Sequence, residues 1–296
     1  MNISVVIPVY KNKEQFLTNL KHNLTYMKDC EVVIVNDYPE ESLHDDLAGL
    51  SVILLENDKN LGFGPTVNRG VKHATKKYVM LLNTDVKLHD GSFSHTLELF
   101  RNDPNLFAVS FAQIEKSGQI VGKNQIYWEN GLFKHRKAND LTEGINGWAE
   151  GGSSIFDRDK YLQLGGFDPL YSPFYWEDVD LSYRAWKRGW KVLFDPGVLV
   201  EHHHESTIST YFKQQLIKTI SYRNQLIFIW KNITDSDLLT DHFLNLPLLK
   251  LSMLKKREWI FFRALIEATK CIGIIRKRRA DAVIKKSDKE ILNQFK

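Results

Sequence analysis

Four clusters in this 296-residue sequence have residue types and spacings that can do chemistry. In Leu81-Leu82-Asn83-Thr84-Asp85-Val86, polar residues follow an apolar run. Asp85 can offer a hard carboxylate oxygen to Mg²⁺ or Mn²⁺, with a diphosphate completing the coordination. A simple Asx-type turn closing a strand is the other reading. In Phe174-Tyr175-Trp176-Glu177-Asp178-Val179-Asp180-Leu181, three acids follow an aromatic run. Acids at a helix start stabilise its dipole, and Asp180 can pair with Arg184 one turn on. Three exceed what capping needs, and a carboxylate among acids and apolar walls has the raised pKa of a proton acceptor.

The third cluster, His202-His203-His204, follows the strand-like Val198-Leu199-Val200. A histidine there is either a metal ligand or a satisfied structural group, and three in a row leave the ligand's identity open. The fourth, Asn60 through Gly70, leads glycines into a helix start, where backbone N–H groups can approach phosphate. Its spacing is neither the dinucleotide fingerprint nor the P-loop. Asp37, after a β-branched run, is either an acceptor for a pyrimidine ring N–H or part of a turn.

Elements of fixed kind must hold these residues. Val5-Val6-Ile7, Glu31–Val35, Ser51–Leu55 and Tyr78–Leu82 are continuous apolar runs of strand length, as in strands buried on both faces. Segments 13–27 and 65–75 have helical spacing, with Pro65 suited to a first turn. The βαβ series predicts an α/β doubly wound fold, with site residues at the carboxyl ends of its strands. A helix at 92–101 and a strand at 106–111 continue it, whereas 113–152 shows little periodicity. Beyond Ser206 the sequence reads as helical.

Composition narrows the class. A 43% hydrophobic content supports a large core. Cys30 and Cys271 lie far apart, which argues against a disulfide framework. The first apolar run lacks a preceding basic region and stops at Pro8, so it reads as a strand and predicts a cytoplasmic protein. Residues 207–296 carry 18 Lys and Arg against 8 Asp and Glu, a net +10, leaving −6 for residues 1–206. An acidic body with a basic tail suggests an active domain plus an anchor. A nucleic-acid partner would leave the acidic cluster unexplained.

In order, these segments resemble family 2 glycosyltransferases of the GT-A fold, especially the bacterial rhamnosyltransferase-like branch. Val5 through Tyr10, Asn60–Gly70, Leu82–Val86, Gly165-Gly166-Phe167-Asp168, Trp176–Leu181 and Pro196–Ser206 carry the resemblance. Tyr222-Arg223-Asn224 and Lys231-Asn232 resemble the helical ends of the branch. It implies a GT-A catalytic domain over 1–206, a helical C-terminal region over 207–296, and inverting transfer from a nucleotide-sugar donor of dTDP-rhamnose or UDP-hexose type. The acceptor it implies is a glycan or lipid-linked oligosaccharide of a bacterial surface polysaccharide.

By position, Asp178 matches the base, and Asp85 and His202 match the ligands of a Mn²⁺ or Mg²⁺ cofactor. Pro8, Tyr10, Asp37, Asn68 and Asn83 match nucleotide-sugar contacts, and Trp176 and Glu177 match acceptor contacts. The sequence departs from the pattern where Asn83 replaces an Asp, at Asn36-Asp37, and at Lys76-Lys77, where a glycine is common. A non-catalytic nucleotide-sugar binder and a sugar nucleotidyltransferase are the competing functions. The tail's basic clusters among apolar residues fit two arrangements: peripheral attachment to an anionic membrane, or a helical subdomain packed on the body.

Overall fold

The computed structural model describes residues 1–202 and 211–296. In chain order the elements are β1 (Ile3–Val9), α1 (Lys13–Leu24), β2 (Glu31–Asn36), β3 (Ile53–Glu56), α2 (Phe63–His73), β4 (Tyr78–Leu82) and β5 (Val86–Leu88). There follow α3 (Thr96–Asn102), β6 (Leu106–Ile114), β7 (Ile120–Val121), β8 (Asn124–Glu129), β9 (Leu132–Lys137), β10 (Gly144–Ile145) and β11 (Ser153–Asp157). The last are α4 (Arg158–Gln163), α5 (Glu177–Lys187), β12 (Lys191–His202), α6 (Gln214–Asn232), α7 (Ser236–Lys255), α8 (Trp259–Lys270), α9 (Ile272–Ala280) and α10 (Asp288–Leu292).

The main sheet runs β10-β12-β6-β11-β4-β1-β2-β3. β4, β1, β2 and β3 are mutually parallel, as the apolar runs predict, and β12 is parallel to β6. β11 enters antiparallel between β4 and β6. Consecutive strand residues alternate between two cores: Val6, Val33, Val35 and Leu81 on one face, Val5, Ile34, Met80 and Leu82 on the other. Burial on both faces explains why the runs are uninterrupted. Gly70 lets α2 lie close to the sheet, because a Cβ there would come within 2.4 Å of Val6 Cγ1.

Some boundaries differ from the expectations. Residues 92–95 form a 3₁₀ turn before α3 begins. The weakly periodic 113–152 stretch holds short strands and the β8–β9 hairpin, whose strands are too short and polar to register as runs.

The helical C-terminal region joins the same core as α2 and α5, through Leu226, Ile227, Phe228 and Ile229 of α6. Polar contacts fasten it further. Asp180, fully buried in α5, accepts hydrogen bonds from Tyr171 Oη (2.8 Å), Arg184 Nε (2.7 Å), Lys231 Nζ (2.7 Å) and Asn232 Nδ2 (2.8 Å). Burial alone would raise its pKa, but Arg184 and Lys231 hold it well below the usual carboxylate range. Lys231 also pairs with Asp168 at 2.7 Å. The boundary expected near Ser206–Tyr211 falls largely outside the described residues.

Removing one partner of a buried ion pair costs roughly 3–5 kcal/mol, because the other charge stays buried. Lys231→Met is therefore expected to lower the unfolding free energy by about that amount in urea denaturation. A chain ending at residue 206 should lack cooperative unfolding; a well-folded monomer of that length would contradict this dependence on α6.

Candidate active site

A cavity of about 350 Å³ opens where β1, β2 and β4 end, lined there by Pro8, Tyr10, Asp37, Asn83 and Asp85. Glu150, Glu177, Asp178 and His202 complete its polar wall, and Phe174 and Phe212 its apolar one.

The Asp85 corner is set by sheet register. β5 pairs antiparallel with β12, placing Val86 opposite His202. Asp85, one residue earlier, then lies with Oδ1 3.4 Å from His202 Nε2. Helix α1 holds this segment from behind: Asn19 Nδ2 donates to Thr84 O (2.8 Å), and Asn23 bonds Val86 O (2.9 Å) and Leu88 N (2.8 Å). Asn83 reaches the cavity beside Gly152, where a Cβ would come within 2.3 Å of Asn83 Nδ2.

His202 Nδ1 sits 2.6 Å from Gln113 Oε1, and Gln113 Nε2 donates to Glu150 Oε2 at 2.6 Å. That second bond turns the Gln113 oxygen toward the imidazole. Nδ1 therefore carries the hydrogen, and Nε2 faces the Asp85 carboxylate. Such an outer partner fixes both the tautomer and the ring orientation of a ligating histidine. A carboxylate oxygen and an imidazole nitrogen converging this way fit a divalent cation. Among the described residues no group of three or more His, Cys, Asp or Glu side chains gathers to hold a metal. Two protein ligands leave the other coordination positions to a diphosphate and water.

The acids at the start of α5 stand at a constrained turn. Tyr175 and Trp176 have φ of 70° and 77°, a left-handed backbone uncommon for bulky residues. Helix α6 clamps that turn: Asn224 Nδ2 donates to the carbonyls of Tyr171 (2.9 Å), Phe174 (3.0 Å) and Tyr175 (2.8 Å). Glu177 and Asp178 emerge from it into the cavity. Burial pushes the Asp178 carboxyl up to about 7, with Glu150 adding to the rise and the Val179 and Gly151 N–H groups opposing it. Burial, then Asp178 and Asp180, raise Glu177 well above its ordinary range. Glu177 Oε2 is buried with no hydrogen-bond partner among the described residues.

Pro8, Tyr10, Asp37, Asn83, Asp85, Glu177, Asp178 and His202 all line the one cavity. Asp37 also braces the glycine loop, accepting from Asn57 Nδ2 (2.7 Å), Leu61 N (2.8 Å) and Gly62 N (2.9 Å). Asn68 and Trp176 are not part of the lining. Asn68 donates to Phe167 O (2.8 Å) and accepts from Tyr161 Oη (2.8 Å) and Phe167 N (2.9 Å), tying α2 to the Gly165–Phe167 loop. Trp176 is buried against Phe228, Phe133 and His135. His203 and His204 lie outside the described residues.

Sequence reasoning missed Glu150, Gln113, Asn19, Asn23 and Phe212. Glu150 had one visible signal, an acid directly before Gly151-Gly152 in an otherwise apolar stretch. The other four serve contacts across long sequence separations, which local pattern does not reveal.

The α/β crevice thus holds a carboxylate–imidazole pair on one side and a carboxyl of raised pKa on the other. Residues 4–165 match the model of glycosyl transferase family 2, and the chain belongs to that family. It is 23% identical over 221 residues to the poly-beta-1,6-N-acetyl-D-glucosamine synthase of Staphylococcus aureus (strain COL), covering 72% of this chain and 53% of that protein. The chain thus spans about half the length of the curated relatives it matches. Among solved structures, GalNAc-T7 with UDP, GalNAc and Mn²⁺ superposes with a TM-score of 0.61 at 16% identity, over 79% of this chain and 48% of that one. TarS 1–349 of S. aureus with UDP-GlcNAc gives 0.57 at 14% identity, over 100% and 91%. The fold is GT-A, with a helical C-terminal extension.

The raised Asp178 carboxyl has a consequence for stability. A carboxyl whose folded pKa exceeds its unfolded value stabilises most below the unfolded pKa, and that stability is lost as pH rises through the folded one. Asp178→Asn should therefore be more thermostable than the parent by several degrees above pH 7, with the gap closing toward pH 4. Melting curves across that range check it; a pH-independent gap would contradict an Asp178 titrating near 7.

Proposed function

We propose that this glycosyltransferase is metal-dependent and inverting, belongs to the rhamnosyltransferase-like branch, and builds a bacterial surface polysaccharide. Its donor would be dTDP-rhamnose or a UDP-hexose, and its acceptor a hydroxyl of a glycan or lipid-linked oligosaccharide. The observation that carries this reading is one cavity holding both the Asp85–His202 corner and the half-buried Asp178 with its pKa raised to about 7. The relative's naming as a polysaccharide synthase supports the biosynthetic setting.

In this reading Pro8, Tyr10 and Asp37 contact the nucleotide, while Asn68 acts through the loop it anchors. Asn83 and Asp85 face the donor phosphates, and Asp85 and His202 would hold Mn²⁺ or Mg²⁺. When bound there, the cation neutralises negative charge on the departing nucleoside diphosphate. Asp178 takes the acceptor hydroxyl's proton as that oxygen attacks the anomeric carbon opposite the leaving group. A base with a pKa near the working pH combines adequate strength with the ionised state it needs. Glu177, whose pKa burial raises, contacts the acceptor, and Trp176 supports the turn presenting both acids.

Single displacement inverts the anomeric configuration, whereas retention through a covalent intermediate needs a second carboxylate as nucleophile. The remaining acids favour inversion. Asp180 is enclosed by four donors. Asp168 is paired with Lys231 and Arg278, and Glu150 accepts from Gln113 and Asn124.

A donor-hydrolysis screen over dTDP- and UDP-sugars with Mn²⁺ or Mg²⁺ should single out one donor, and EDTA should abolish its turnover. Turnover surviving EDTA would contradict metal dependence. With that donor and a matching acceptor, kcat/KM is expected to rise with pH to a plateau, with its midpoint near 7. Asp178→Asn should lower transfer by about 10³-fold while largely sparing donor affinity, as loss of a general base does. A variant retaining a tenth of the rate would remove Asp178 from that role.

A further inference from the structure

Helix α7 carries apolar residues on two opposite sides, one of which faces water. Leu238, Leu239, Leu246, Leu249 and Met253 lie on one side and pack against the core. Helical spacing puts Leu244, Leu248 and Leu251 on the opposite side, exposed by 70%, 65% and 49%. Phe243 and Leu254 border that stripe at 57% and 48% exposure. A contiguous exposed apolar face marks an interaction surface, whereas single exposed leucines do not.

The charge around the face identifies the partner. Residues 243–263 hold five basic residues and one acid. Lys255, Lys256 and Arg257 form the exposed turn from α7 to α8, and Trp259, 62% exposed, follows directly. An apolar helix face ending in cations and a tryptophan fits a bilayer's boundary layer, where tails meet the leucines and anionic headgroups meet the lysines. No helix among the described residues is long and apolar enough to cross a membrane. The binding mode is therefore lying on the surface. We propose that α7 and the α7–α8 turn dock this enzyme onto an anionic lipid surface, with Leu244, Leu248 and Leu251 entering the acyl boundary. The inference is independent of the residue roles assigned at the sugar-transfer site.

Flotation of the intact 296-residue chain with phosphatidylcholine vesicles, with and without 30% phosphatidylglycerol, tests it. The chain should float with the anionic vesicles at least tenfold more than with neutral ones, and less as salt rises. L244E/L248E/L251E should lose that binding at least tenfold while keeping its melting temperature and donor hydrolysis, since these side chains already face water. K255Q/K256Q/R257Q should lose the preference for anionic lipid. The intact chain staying unbound, or the triple-glutamate variant floating undiminished, would overturn the proposal. So would a concentration-dependent dimer that the glutamates dissolve without any vesicle binding, which would assign the face to a second copy of the chain.

Discussion

Three carboxyls within four residues at the start of α5 are withdrawn from water to different depths, and the way the fold treats each differently is the constraint on which the site depends. Asp180 is neutralised by Arg184 and Lys231 and surrounded by Tyr171 and Asn232. Asp178, two residues earlier, receives backbone N–H groups and faces Glu150 instead. One acid is thereby held ionised as a structural anchor, and the next is left near neutrality, able to take up or release a proton. Buried charges are tolerated when paired, and unpaired ones shift their pKa. The same rule yields both outcomes here.

The partition depends on the C-terminal helices. Lys231 and Asn232 come from α6, and Asn224 of the same helix clamps the turn that presents Asp178. Arg279 of α9 reinforces the end of α6, donating to the carbonyls of Trp230 (2.9 Å) and Ile233 (2.6 Å). The basic character of this region thus has two origins. Lys231 and Arg279 point inward and are structural, whereas Lys255, Lys256 and Arg257 are exposed beside an apolar helix face. A charge count cannot separate them, because the sign is the same and only burial differs.

The parallel half of the sheet was legible in the sequence because burial on both faces leaves uninterrupted runs such as Val32–Val35. Asp85, Asp178 and His202 were legible as parts of an ordered pattern, although each alone could be a turn, a cap or a structural histidine. The β5–β12 register that brings Asp85 to His202 was not, since a three-residue strand carries almost no periodic signal. Nor were the second partners: Gln113 and Glu150 reach the histidine through side-chain bonds across distant segments. Asn68 and Trp176 illustrate the reverse case. They sit at positions matching ligand contacts, yet their side chains hold the loops that shape the cavity.

Asp85 and His202 form one corner of the site, built by strand register and oriented by Gln113. Crystals grown with Mn²⁺ and a nucleoside diphosphate, with diffraction recorded at the manganese absorption edge, would test it most directly. The expected result is an anomalous peak in coordination range of Asp85 and His202 Nε2, beside the bound diphosphate. A bound nucleotide with no peak there, or with manganese held by other side chains, would contradict it.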